Sequence, residues 1–417
     1  LVSFLGLFVL MALAWAISTN RRKVNWHAVG WGLGLQLLFG LLVFCAPGST
    51  RVFLAVNDFV LRILDAATAG QRFVFGALAM GPGDKELNGA MSVGFVLATQ
   101  ALPIVIFFSS LMAILYYVGV MQWVVRGFAW VFTRLMRVSG AESLCTASNV
   151  FAGIESVTTI RPFLARMTRS EYCLVLTAGM ATVASSTMGI YVLFLKDVFP
   201  TVAGHLISAS IISAPAAIIM AKLLVPEEGQ PETLGVHVKV SYERESSLME
   251  AIVNGASAGM QLVIGIIALL IAVLGLVALI DLALGWGIGP AATLKHILGW
   301  LFAPLAAAIG VPWSDAVTVG SLLGERAVAT EVPAYLRLAA LLKDHAIDSR
   351  SAMLSAYALC GYAHVASLAI FVGGVSALCP ERRKDIAAVG PRALVAATLA
   401  CLMTGAVAGV FYHGADM

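Results

Sequence analysis

The sequence predicts an all-α membrane protein: eight transmembrane helices plus two re-entrant hairpins in inverted repeats, with interfacial amphipathic helices. Three observations lead there. Hydrophobic residues make up 60% of the 417 and charged residues 12%, with a mean hydropathy of +0.92, a balance that suits lipid and not a soluble domain. Apolar runs long enough to cross about 30 Å of hydrocarbon recur along the whole chain. Finally, one five-residue element occurs twice, as Ala181-Thr182-Val183-Ala184-Ser185 and as Ala363-His364-Val365-Ala366-Ser367. Each copy follows a lone glutamate, Glu155 or Glu331, set among small residues.

The spans are read near residues 1–17, 28–46, 101–125, 172–195, 203–224, 258–284, 352–376 and 391–412. The first ends at Arg21-Arg22-Lys23, with no basic stretch before it and no small-residue cleavage pattern. It therefore reads as a span and not as a signal peptide. Basic clusters at Arg21, Arg22 and Lys23, at Arg126, Arg134 and Arg137, and at Arg382, Arg383 and Lys384 follow spans one, three and seven. By the excess of Lys and Arg in retained loops, odd spans end in the cytoplasm, both termini are external, and the polar stretch from Glu227 to Glu245 is cytoplasmic. Between spans two and three, Phe53, Val56, Val60, Ile63 and Leu64 fall opposite Arg51, Asn57, Asp58, Arg62 and Asp65, the pattern of a helix lying in the interface.

Residues 142–167 and 313–338 are apolar but interrupted, by Asn149, Gly153, Glu155 and Pro162 in one and by Gly320, Gly324, Glu331 and Pro333 in the other. Each suits a re-entrant hairpin, because irregular backbone at membrane depth must face protein or a water-filled cavity. The repeated unit is then hairpin, charged loop, broken helix and a further span. Spans four and seven cross in opposite directions, so the repeat is inverted. This divides the chain into a mainly scaffold region, 1–140, a first transport repeat, 141–225, a loop, interfacial helix and sixth span, 226–312, and a second transport repeat, 313–417.

Several function classes drop out. The formal charge is only +3 and no Lys/Arg block interleaves with aromatics, so there is no footprint for nucleic acid. Cys45, Cys145, Cys173, Cys360, Cys379 and Cys401 are scattered without close pairs and read as buried free thiols. No nucleotide-binding glycine loop, metalloprotease helix or nucleophile elbow stands in a usable context. The expectation is a carrier that is not an enzyme and uses no cofactor, with a coupling ion, Na+ or H+, as its energy source.

Glu155 and Glu331 carry the sharpest signal, since an ionised carboxylate near mid-membrane costs several kcal/mol unless it meets partners or water. Either one or both sit at the interface or form structural ion pairs with Arg161 or Arg326, or their oxygens accept hydrogen bonds from a polar, hydroxyl-rich ligand. Asn149, Thr182 and a loosened backbone around Gly179 offer oxygens of the kind that hold sodium in broken helices; a helix cap with close small-residue packing fits them equally. His364 reads either as a satisfied core histidine or as a group that meets a ligand or a proton. Tyr362 and Ser367 beside it suit a planar ring plus a sugar.

Four stretches resemble the concentrative nucleoside transporters. Asn149-Val150-Phe151-Ala152-Gly153-Ile154-Glu155 with Ile160-Arg161-Pro162-Phe163 looks like the first-hairpin signature, and Gly179-Met180-Ala181-Thr182-Val183-Ala184 like the broken fourth helix. Gly324-Glu325-Arg326 with Thr330-Glu331 and Ala334-Tyr335 resembles the second hairpin, and Tyr357-Ala358-Leu359-Cys360-Gly361-Tyr362-Ala363 the seventh helix. The resemblance spans essentially the whole chain. It implies a homotrimer in the bacterial inner membrane whose transport domain moves as an elevator, importing nucleosides with a cation. It further implies a substrate site of Gly153, Ile154, Glu155, Thr187, Glu331, Tyr362, His364 and Ser367. Within it Glu155 faces the nucleobase, while Glu331, His364 and Ser367 face the ribose. A sodium site from Asn149, Thr182 and the carbonyls of Ala152 and Val183 follows in the same way. Two departures stand out: Ile154 alone occupies the place of the usual Gln-Thr, removing the base-reading amide, and histidine and threonine replace asparagine at 364 and 330. Carriage of a nucleobase or another polar solute, and a non-transporting sensor or channel, are the competing readings.

Overall fold

A computed structural model describes residues 1–417 apart from 46–47, 82–91, 93, 237, 239–244, 288, 290–292 and 415–417. Part of the polar stretch assigned to the cytoplasm thus lies outside the described residues. The architecture is helical nearly throughout. The amino-terminal helix α1 (Val2–Ala16) is followed by α2 (Trp26–Phe44), capped by the Asn25 side chain, which accepts from the Ala28 amide. The amphipathic helix α3 runs from Ser49 to Phe75, as the alternation of apolar and charged residues predicts. After a short α4 (Leu97–Gln100), α5 (Ile104–Val118) stops at Gly119 and α6 (Val120–Val131) begins. The third span therefore ends seven residues before the predicted Val125, because Gly119 sits at φ +95, a left-handed conformation that breaks a helix and that glycine adopts without strain.

The first interrupted segment comprises α7 (Gly140–Asn149), a break, and a 3-10 stretch, Ile154–Arg166. It is followed by α8 (Arg169–Ala181), α9 (Ser185–Leu195) and α10 (Val202–Leu224). Both α7 and α8 start on full capping boxes, Ser139 with Glu142 and Thr168 with Glu171, which satisfy the amides a helix start leaves free. Lys222, near the end of α10, locks these starts together. Its buried Nζ lies 2.5 Å from Glu142 Oε1 and 3.0 Å from Ser170 Oγ, while Ser139 Oγ donates to Glu171 at 2.6 Å. Glu142 and Glu171 are buried here and are paired, as buried charges must be.

The long helix α11 (Leu248–Gly287) begins ten residues before the predicted sixth span and exposes most of its apolar side chains. Then α12 (Leu294–Ala308) and α13 (Trp313–Val328) fold back on each other with a bend of 118°. This sharp turn precedes the segment predicted to bend; within that segment, α13 and α14 (Glu331–Lys343) are parted only by Ala329 and Thr330. The chain closes with α15 (Ser349–Leu359), α16 (Val365–Leu378) and α17 (Arg383–Phe411). Among the described residues six stretches are long and apolar enough to cross a membrane unaided, counting α8 with α9 as one. The first predicted span is a helix of only 15 residues, and the seventh is split into α15 and α16. The core lies where α8, α10, α15 and the second half of α17 meet, with most of their side chains buried. Five of the six cysteines are buried free thiols; Cys45, at the end of α2, is exposed instead.

Candidate binding cavity

The two copies of the doubled element are the two helix breaks, and they touch. Gly179, where the sequence suggests loosening, is regular helix packed on Phe371; helix α8 unwinds three residues later, at Thr182. The second break runs from Cys360 to His364 between α15 and α16. At its centre Gly361 has φ +158, and a Cβ there would come 2.8 Å from the Ala181 carbonyl oxygen, the end of α8. Glycine is what lets one break approach the other. The Cys401 thiol donates to that same oxygen at 3.6 Å, so a carbonyl freed by unwinding is not left bare.

The tip of the first interrupted segment joins this junction. The Ser185 amide donates to the Phe151 carbonyl at 2.9 Å, and the Ala184 amide to the Tyr362 hydroxyl at 3.2 Å. That hydroxyl also bonds Thr187 Oγ1, so Tyr362 of the second break stitches the first. Ser210 on α10 donates to the Val150 carbonyl at 2.9 Å and lies 3.5 Å from the Val183 carbonyl. The buried Asn149 directs Nδ2 to the Cys145 carbonyl at 3.0 Å, and its Oδ1 has no hydrogen-bond partner among the described residues. Thr182 Oγ1 donates to the Ala178 carbonyl at 2.9 Å, keeping its lone pairs free.

Glu331 opens α14 behind the cap made by Thr330. The carboxylate is buried, and neither glutamate forms the arginine pair that the sequence allows. Arg326 instead donates to the Ala358 carbonyl at 2.7 Å, and Glu155 accepts from the Gly153 amide at 3.1 Å. Tyr191 on α9 donates to Glu331 Oε1 at 2.7 Å. His364 brings Nε2 to 3.1 Å from Oε2, and apart from this close contact Oε2 has no hydrogen-bond partner among the described residues. His364 is also the cap of α16: Nδ1 accepts from the Ser367 amide at 3.2 Å, and Nε2 meets Ser367 Oγ at 2.8 Å. An accepting Nδ1 places the ring proton on Nε2, facing Ser367 Oγ and Glu331.

All eight residues expected to meet substrate, Gly153, Ile154, Glu155, Thr187, Glu331, Tyr362, His364 and Ser367, line one cavity of about 120 Å³. Leu262, Ile266 and Leu269 of α11 supply an apolar wall, and Ile370 and Phe371 of α16 contribute further apolar lining. A second chamber of about 290 Å³ adjoins it, sharing Gly153, Glu155, Ala184 and Ser186, and extends between Tyr116 and Asn254. Glu331 is thus enclosed while Glu155 is exposed at the junction. Sequence reasoning missed Tyr191, Ser186 and Ser210. Tyr191 looks like packing until Glu331 is placed beside it, and the two serines lie outside both copies of the doubled element.

Broken helices that meet around a buried carboxylate, inside a helical membrane protein, define a secondary-transporter fold. The comparisons say which one. Residues 5–78 match the model described as the Na+ dependent nucleoside transporter N-terminus, residues 98–198 one described as Gate: Nucleoside recognition, and residues 205–409 the Na+ dependent nucleoside transporter C-terminus. Mouse solute carrier family 28 member 3 is 36% identical over 98% of this chain and 58% of its own length, and rat sodium/nucleoside cotransporter 1 is 36% identical over 99% and 64%. The chain therefore spans about three-fifths of the mammalian relatives. An uncharacterized transporter of Haemophilus influenzae is 36% identical over 99% of this chain and 97% of its own. Among solved structures, CNTnw in an inward-facing substrate-bound state superposes with a TM-score of 0.90 at 37% identity, covering 98% of each chain. An outward-facing state of a CNTnw variant gives 0.88 at 36% identity, over 98% of this chain and 97% of that one. The chain belongs to the concentrative, sodium-dependent nucleoside transporter family.

Proposed function

We propose that this protein imports nucleosides across the bacterial inner membrane by alternating access, driven by a cation gradient. The observation that carries the reading is the cavity around Glu331. A buried carboxylate whose Oε2 is met only by His364, 3.1 Å away, among the described residues, and which lines a cavity with Ser367, suits a ligand that donates. A ribose presents such hydroxyls, and a site built for them rejects ligands that lack them. Family membership, and solved relatives in inward-facing and outward-facing states, support movement of substrate past a membrane barrier.

In this reading Glu331, His364 and Ser367 hold the sugar, Tyr362 and Thr187 hold the two breaks in register, and Gly153, Ile154 and Glu155 meet the base. Asn149 Oδ1, Thr182 Oγ1 and the carbonyls of Ala152 and Val183 form the sodium site. The free amide oxygen of Asn149 fits a hard cation that takes oxygen ligands. The two repeats are inverted copies that move together as an elevator against a trimeric scaffold of 1–140 and 226–312, with both termini external. Uptake of labelled nucleosides in transport-deficient cells tests the substrate. Accumulation above the external concentration is expected, whereas a channel stops at the equilibrium gradient. Replacing sodium by choline at several pH values tests the ion: uptake is expected to fall with sodium, and uptake that follows only the proton gradient rules out the sodium site.

A further inference from the structure

Between α2 and α6 the surface opens into a groove of about 740 Å³. Leu35, Leu38 and Phe39 form its α2 wall, and the other wall comes from Trp123 and Phe128 of α6 and from Leu135, in the π-helical stretch Phe132–Met136 that continues α6. The left-handed Gly119 sets α6 off from α5, and His27, near the start of α2, donates from Nε2 to the Leu135 carbonyl at 3.1 Å. One end of the groove is thereby fastened. Leu38 and Trp123 are exposed, as are Leu41 and Leu42 further along α2, itself long and apolar enough to span a bilayer. The groove therefore faces acyl chains.

Among the described residues that line it, one side chain is charged, Arg126. It is exposed, its Nε donates to the Gln122 carbonyl of its own helix at 3.1 Å, and no carboxylate of the described residues pairs with it. Trp123 stands three positions before it, on the same face of α6. A guanidinium grips a phosphate through two parallel N–H donors, and an indole favours the headgroup level of a bilayer. We propose that this groove is a binding site for an anionic phospholipid, with the phosphate on Arg126 and an acyl chain along Leu35, Leu38, Phe39 and Phe128. Charge selects the class, because the groove offers a cation and no carboxylate. The orientation read from the basic clusters puts it in the cytoplasmic leaflet, where basic pockets between spans take such headgroups. The site also bears on the transport machinery. The rings of Phe128 and Phe151 are 6.1 Å apart, and Phe151 lines the second chamber and accepts the Ser185 amide. A chain lying on Phe128 buttresses the tip of the first interrupted segment.

Thermal unfolding of the full chain in detergent, titrated with dioleoyl phosphatidylglycerol or dioleoyl phosphatidylcholine, tests the site without reference to transport. Phosphatidylglycerol is expected to reach half its stabilising effect at about a fivefold lower mole fraction, the factor one basic side chain near a membrane surface supplies. Arg126→Gln should abolish that preference and Arg126→Lys should keep most of it. Arg134→Gln removes an exposed cation outside the groove and should leave the preference unchanged. Equal potency of the two lipids, an unchanged preference in Arg126→Gln, or an equal loss in Arg134→Gln overturns the proposal. Stabilisation by glycerol phosphate alone overturns it too, since the site would then hold a small anion and not a lipid. In vesicles of phosphatidylethanolamine with phosphatidylglycerol, nucleoside uptake should run severalfold faster than with phosphatidylcholine in its place. A difference that survives Arg126→Gln would break the link through Phe128. Absence of uptake in both vesicles would count against the carrier reading instead, and the unfolding measurements would still decide the lipid site.

Discussion

At the first helix break, most groups released by unwinding find partners close by. The Phe151 carbonyl takes the Ser185 amide, the Ala184 amide takes the Tyr362 hydroxyl, and Ser210 serves the Val150 carbonyl. Its glutamate, Glu155, is exposed and accepts from its own loop. At the second break the backbone is equally well served, with His364 capping α16, but the glutamate is enclosed and one carboxylate oxygen meets only His364 among the described residues. The comparison teaches that a duplicated backbone need not duplicate chemistry. Both breaks supply irregular backbone at the centre of the fold, and what each does with it depends on whether its carboxylate is buried.

The largest effect should come from that difference in burial. Glu331→Gln replaces a buried acceptor by an amide that also donates. Uptake of labelled nucleoside is expected to fall by about a hundredfold, against about tenfold for Glu155→Gln at the exposed junction. The reverse ranking would mean that the first break, and not the second, holds the ligand. A stability comparison follows at the two glycines. A methyl group on Gly361 meets the Ala181 carbonyl and Cys401 Sγ at 2.8 and 2.5 Å, whereas one on Gly153 meets the Glu155 carboxylate at 3.2 Å and Ala184 Cβ at 3.7 Å. Gly361→Ala should lower stability in detergent by about 2 kcal/mol and Gly153→Ala by about 0.5 kcal/mol or less, read from thermal unfolding. Equal losses would mean that the breaks are not packed as tightly as this contact requires.

Tyr191→Phe sharpens the role of Glu331 from the other side. Its hydroxyl is the hydrogen-bond donor to Oε1, and a hydrogen bond to a charged group contributes about 1.5 kcal/mol. A rise of about tenfold in the KM for uptake, with little change in the sodium dependence, is expected. A change in sodium dependence alone would tie Tyr191 to the ion and not to the carboxylate.

Much of this was legible in the sequence, and for identifiable reasons. Hydropathy located the membrane helices because backbone in lipid must bond within its own segment. The doubled element located both breaks because polar and small residues inside an apolar run have few other uses. Boundaries were less legible: the third span stops early at Gly119, α11 begins early at Leu248, and Gly179 stays helical while Thr182 does not. Each depends on packing or on a backbone conformation that local composition leaves undetermined. Tyr191 and Ser186 were hidden for a further reason. Tyr191 takes its role from Glu331, 140 positions away in sequence, and Ser186 from lining the same cavity as Glu155, 31 positions away.

A smaller effect concerns His364, which acts twice. As a cap, it satisfies the Ser367 amide through Nδ1; as a cavity residue, it turns Nε2 toward Ser367 and Glu331. These roles separate by substitution, because asparagine is among the best capping residues but is shorter than the imidazole. His364→Ala should lower stability by about 1 kcal/mol, the usual loss for a removed cap, and His364→Asn should recover most of it. Uptake should not recover in parallel if Nε2 helps to hold the ligand at Glu331, so the asparagine variant is expected to be stable and still altered in KM. A variant restored in both respects would show that the imidazole contributes only as a cap, and would leave Glu331 and Ser367 to hold the ligand without it.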